Sequence, residues 1–138
     1  MSEMLDPGEE IDLPDGLARV VRLPTLVNHL SEQCRKAWKS GGSAFPPAVG
    51  WIVLDEAASH RDHIGFSGLE KLIHAVHERT RAQLAGTDVT ARSGLDAIGL
   101  MLDSEAGDRD FEALADALQK SINNNLFEVG EHMIAATI

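Results

Sequence analysis

The stretch from Val89 to Leu102 constrains this chain most. Val89, Ala91 and Ser93 alternate with Thr90 and Arg92, Gly94-Leu95-Asp96 interrupts, and Ala97 to Leu102 resumes with Ile98, Leu100 and Leu102. Alternation at period two puts successive side chains on opposite faces, and a Gly-x-Asp break between two such runs is turn chemistry, so a β-hairpin is predicted. A lone hairpin is marginal in water; it needs further strands and a covering layer to bury its apolar face.

The remaining segments offer that layer. Pro24 suits a helix first turn, and Leu26, Val27, Leu30, Cys34, Ala37 and Trp38 follow at helical spacing until Ser40-Gly41-Gly42 stops them. Val49 to Leu54 is a short apolar run of strand length that ends on Asp55. Ser67 with Glu70 has capping-box spacing, and Leu69, Leu72, Ile73, Val76 and Leu84 then share one helical face. Asp108 or Asp110 can cap a third helix with Phe111, Leu114, Leu118 and Ile122 inward, ended by Asn123-Asn124-Asn125, and a strand from His132 to Ile138 closes the chain. The order helix, strand, helix, hairpin, helix, strand predicts an α+β fold with a mainly antiparallel central sheet flanked by helices.

With 138 residues the chain fits one domain. Met1 to Asp15, carrying Asp6, Glu9, Glu10, Asp12 and Asp15 with Pro7 and Pro14, reads as an acidic linker or lead-in before a domain over 16–138, whose apparent final strand running to Ile138 suggests truncation at the C-terminus. A net charge of -10 disfavours nucleic acid and anionic membrane as partners, since both demand a Lys- and Arg-rich surface. No apolar run reaches the roughly 20 residues that span a bilayer. The single Cys34 cannot form an internal disulfide and is expected as a buried thiol, compatible with a reducing cytoplasm.

Ala91-Arg92-Ser93-Gly94-Leu95-Asp96-Ala97-Ile98-Gly99-Leu100-Met101-Leu102 resembles the hairpin of GGDEF domains, in which an Arg two residues upstream precedes Gly-Gly-Asp-Glu-Phe and an apolar strand. Gly94, Leu95, Asp96, Ala97 and Ile98 occupy the five signature positions. Trp51-Ile52-Val53-Leu54-Asp55 is similar to the family's first strand, which ends in a metal-binding Asp, and Asp15-Gly16-Leu17 to its N-terminal Asp-x-Leu. The resemblance implies a nucleotide-cyclase palm-like fold and the family's chemistry, in which two GTP-loaded domains meet and each 3′-hydroxyl attacks the partner's α-phosphate. Divalent metals held by hard oxygen ligands neutralise the triphosphate.

Residue by residue, the resemblance also implies that this chemistry is lost. Asp55 stands at one metal-ligand position as a vestigial ligand, but Ala97 replaces the signature Glu and has no side-chain oxygen. Leu95 replaces the second Gly, where a branched side chain penalises positive φ. Leu69 falls at the guanine-binding Asp, and Gln119 near the phosphate-binding Arg, with Lys120 one position round the helix. In the family's inhibitory Arg-x-x-Asp, Asp88 keeps the Asp position as a vestige while Ala85 lacks the guanidinium. No catalytic residue, metal or cofactor is therefore expected.

Simpler readings cover the other polar residues. Asp55 is expected to bond turn amides, and Asp96 local backbone. His60 with His63, and His74 with His77, have spacings that could place two imidazoles on one helix face as metal ligands, but His74 and His77 lie beside Glu78 and Arg79 and read as a solvated face. Trp38 and Trp51 are expected as core or interface fillers. Ser31, Ser43 and Ser104 have no signalled triad partners.

The resemblance thus implies a non-catalytic GGDEF-like module of bacterial cyclic di-GMP signalling in the cytoplasm. Its partners would be neighbouring EAL, PAS or receiver domains, or a second copy in a homodimer, with outputs such as type IV pili, motility or biofilm. Three alternatives stay open: a GTP-binding allosteric domain, an active diguanylate cyclase or His-dependent metal hydrolase, and an unrelated α+β interaction domain.

Overall fold

A computed structural model of the chain describes residues 17–42, 47–103, 109–123 and 125–138. The acidic lead-in and Gly16, Ser43, Ser104, Asp108 and Asn124 lie outside the described residues. The elements run β1 (Arg19–Val21), α1 (Leu23–Lys39), β2 (Ala48–Val53), α2 (Ala57–Gln83), β3 (Val89–Ser93), β4 (Ala97–Leu102), α3 (Phe111–Asn123), β5 (Leu126–Val129) and β6 (His132–Ala135).

The hairpin expected from the alternating segment forms as β3 and β4, in register Arg92 opposite Ile98 and Ser93 opposite Ala97. Around it grows a sheet of order β1-β3-β4-β2, in which β4 is antiparallel to both neighbours and only β1 with β3 is parallel. This is the mainly antiparallel α+β sheet that the element order predicts. One face, carrying Ile52, Ile98, Leu100 and Leu102, is covered by Leu69, Leu72, Ile73 and Val76 of α2 and by Leu118 and Ile122 of α3. Leu72, Ile73, Val76, Ile98 and Ile122 are completely enclosed, each contributing about 1.5–3 kcal/mol of burial. On the other face α1 closes a smaller cluster of Leu26 with Val21, Val89 and Ala91.

Local chemistry explains the element ends. Pro24 sits in the first turn of α1, where its missing N–H costs nothing. Asp110 caps α3 by accepting the Ala113 N–H at 3.0 Å. Among the described residues no helix is long and apolar enough to cross a membrane.

Several expectations are corrected. The second helix begins at Ala57, ten residues before the Ser67 start, and is broken at Gly65, whose φ of 78° and ψ of 174° lie outside the helical region. The Ser67 capping box does not form, because Glu70 turns its carboxylate to Arg92 instead. The closing strand ends at Ala135 and does not join the main sheet; it pairs with β5 in a separate two-stranded ribbon turned at Gly130, φ 61°. β1 and β5, of three and four residues, carry too little periodicity to stand out in the sequence.

Burial corrects the Cys34 reading and takes both tryptophans out of the core. Cys34 is exposed, since α1 reaches the sheet only along the stripe around Leu26. Trp38, at the far end of that helix, is 88% exposed. Trp51 is half-exposed and lies across Gly99, where any Cβ would collide with the indole Cζ3.

Candidate functional site

The C-terminal end of β2 meets the tip of the β3–β4 hairpin, because the Leu54 N–H donates to the Asp96 carbonyl at 2.7 Å. The turn is shaped by Gly94, whose φ of 70° favours glycine. Arg92 braces it: Nη2 donates to the Gly94 carbonyl at 2.9 Å, while Nη1 and Nη2 reach the two carboxylate oxygens of Glu70 on α2 at 3.1 and 3.3 Å. Leu95 is half-buried and packs on the main core, so its side chain pins the turn downward. Its φ is not positive, Glu56 being the sole non-glycine with that sign among the described residues. Ala97 is buried opposite Val53, and Ile98 is fully buried.

Asp55 follows at the end of β2. Its N–H donates to the Thr137 carbonyl and its Oδ2 accepts from the Thr137 hydroxyl, both at 2.8 Å. The carboxylate's partner is thus a hydroxyl brought from the chain's last residues. Asp96 contributes its main-chain carbonyl, and its side chain is exposed.

A metal pair on a triphosphate needs several hard oxygens converging on one point. Here Asp55 is tied to Thr137, Ala97 offers a methyl group, and among the described residues no three His, Cys, Asp or Glu side chains stand together. These residues do not fit such a metal pair. Leu69 is enclosed in the core, and Lys120 pairs with Asp116 at 3.0 Å on the outer surface of α3. An open groove of about 370 Å³ between β2 and α3, lined by Val53, Leu114, Leu118 and Gln119 among others, has none of the five signature residues in its wall.

Asp88 lies away from the turn and is completely buried. Its carboxylate accepts the Ala85 and Asp103 N–H groups at 2.8 Å each and both Nη groups of Arg109 at 2.7 and 2.9 Å. This two-toothed pair, chiefly through its hydrogen bonds, raises the Arg109 pKa further above its already high ordinary value. Asp88 thereby staples the turn before β3 to the segment after β4.

The buried polar end of α2 escapes sequence reasoning. His77, read as solvated, is enclosed, with Nε2 2.7 Å from Thr90 Oγ1. Burial is the main cause that lowers its pKa from 6.5 to about 4; Arg92, Arg81 and His74 act in the same sense and Glu78 opposes. Arg81 is also buried, its Nε donating to the Ala18 carbonyl at 2.7 Å and its Nη1 paired with Glu78. The available signal was spacing: Ile73, His77 and Arg81 lie four apart, continuing the stripe of Leu69.

The arrangement invites comparison with known folds. No protein-family model matches the chain, and no curated protein does. Solved structures do: the GGDEF domain of FimX from Pseudomonas aeruginosa superposes with a TM-score of 0.75 at 19% identity, covering 92% of this chain and 76% of that one. The chain has the GGDEF fold. The isolated GGDEF domain of PA1120 (TpbB or YfiN) from the same organism agrees, with a TM-score of 0.73, 22% identity, and 88% of this chain and 69% of that one covered. So does diguanylate cyclase SiaD of Pseudomonas aeruginosa, solved with its activator SiaC, with a TM-score of 0.70, 17% identity and 85% of this chain covered. The chain spans 44% of the SiaD chain's length. An unrelated α+β fold with a chance hairpin is set aside, and the Gly94–Asp96 turn reaches the end of β2 through the Leu54 N–H.

Proposed function

We propose that this chain is a non-catalytic GGDEF module of cyclic di-GMP signalling that acts through protein contacts. It serves a neighbouring domain, EAL-type in the first instance, as a scaffold, dimerisation or allosteric element, with type IV pili, motility or biofilm as the output. The domain proper is taken to start at residue 16, after an acidic linker, and to work in the cytoplasm.

The observation that carries this reading is the pairing of Ala97 with a committed Asp55. The position that resembles the signature's Glu has no oxygen, and the remaining carboxylate holds Thr137. Removing hard ligands removes the Lewis acid that phosphoryl transfer depends on. Two closures support it: Leu69 is enclosed at the position that resembles the guanine-binding Asp, and Asp88 is filled by Arg109. The SiaD structure, a GGDEF-fold protein held by an activator, supports a role through protein partners.

Incubation with GTP and magnesium, followed by chromatography for cyclic di-GMP, is expected to yield none; product formation would overturn the reading. Titration calorimetry with GTP and magnesium separates a pure scaffold, which gives no heat, from a GTP-binding allosteric domain.

A further inference from the structure

We propose that His63 and His132 form a two-imidazole site for a divalent transition cation of the Zn²⁺, Ni²⁺ and Cu²⁺ class. The sequence spacing suggests His60 as the partner of His63, but the fold brings a residue from the other end of the chain to it. The His63 and His132 ring centres are 5.8 Å apart with planes at 60°. Two imidazoles that share one ion at about 2.0–2.1 Å from each nitrogen bring their ring centres to roughly 5–6 Å, the separation seen here.

Three features favour an ion over a simple ring contact. Both side chains are exposed, so water can fill the positions the protein leaves open and the ion has an entry path. Neither ring has a hydrogen-bond or ion-pair partner among the described residues, so either tautomer is open and each neutral ring can offer one nitrogen to the ion. The chain's charge of -10 draws cations to its surface. Imidazole is a borderline donor, which selects these cations over magnesium or calcium.

The two elements are well placed for a clip. His63 stands on the first half of α2, two residues before the Gly65 break, and His132 opens β6 opposite Val129. A bound cation would fasten the segment that follows Asp55 to the ribbon that delivers Thr137, at the junction where those two residues already bond. The proposal does not depend on the nucleotide reading, because neither histidine belongs to the signature turn.

Calorimetric titration of the full chain with zinc chloride at neutral pH, in a non-chelating buffer, tests it. One ion per chain is expected, with the affinity weakened at least about tenfold in His63→Gln and in His132→Gln, and unchanged in His60→Gln. Ring proton resonances of His63 and His132 should shift together as zinc is added, a readout that a folding defect in a variant cannot imitate. Absence of zinc binding by the wild-type chain overturns the proposal. So does binding that survives His132→Gln but is lost in His60→Gln, which would place the ion on the helix alone.

Discussion

Acidification should unfold this domain in part through one buried imidazole. His77 is 4% exposed and bonded to Thr90 Oγ1, and its pKa falls from 6.5 to about 4, chiefly through burial. In the unfolded chain the ring regains its ordinary value of 6.5. Between those two values the unfolded state holds a proton that the folded state refuses. Stability is therefore complete above the unfolded pKa and is lost as the pH drops toward the folded one. Each pKa unit corresponds to about 1.4 kcal/mol, so the loss reaches about 3 kcal/mol near the folded pKa. Carboxylates titrate in the same window, so the wild-type curve alone does not isolate the ring. His77→Gln removes the ionisation and keeps an amide that can bond Thr90 Oγ1. Urea unfolding followed by circular dichroism, at neutral pH and again near the folded pKa, gives the two losses. Wild type should lose about 3 kcal/mol more than the variant. Equal losses, or a ring titration by NMR near the ordinary histidine value, would refute the reasoning.

Four further outcomes follow from the packing. Asp88→Ala strands two amides and the Arg109 fork and should cost about 3–5 kcal/mol in urea unfolding. Arg109→Met leaves those amides satisfied and should cost about 1.5–3 kcal/mol, with a double-mutant cycle returning a clear coupling. At Gly65, φ 78° with open space around the missing Cβ, Ala should cost about 1–3 kcal/mol by backbone strain alone, read as a lower Tm. Gly99→Ala should push the Trp51 indole off the sheet, red-shifting its emission and costing about 1–3 kcal/mol; an unshifted spectrum contradicts the contact.

Much of the fold is legible in the sequence where period and punctuation agree. The hairpin of β3 and β4 announces itself through alternation around Gly94-Leu95-Asp96, and α3 through Asp110 with its stripe of Leu114, Leu118 and Ile122. The candidate site is legible only as a set of positions. Asp55 and the Gly94–Asp96 turn are brought together as the resemblance implies, but the partner of Asp55, Thr137, lies 82 residues away. No local pattern encodes such a bond. The same holds for Asp88 with Arg109 and for His63 with His132, whose closeness depends on how whole elements dock.

What the sequence determined by itself is therefore the chemistry present and absent: Leu95 and Ala97 in the turn, Ala85 three residues before Asp88, and an acidic chain with one cysteine. Side-chain identity is local, and a missing oxygen cannot be restored by folding. Tertiary structure alone decided which polar groups are enclosed. α2 lies along the sheet so that His77, Thr80 and Arg81 join its buried stripe, while α1 packs chiefly through Leu26, with Leu23 beside it, and leaves Cys34 and Trp38 in solvent. The physical reason is that helical periodicity fixes which residues share a face, whereas burial depends on how far the neighbouring sheet extends beneath that face.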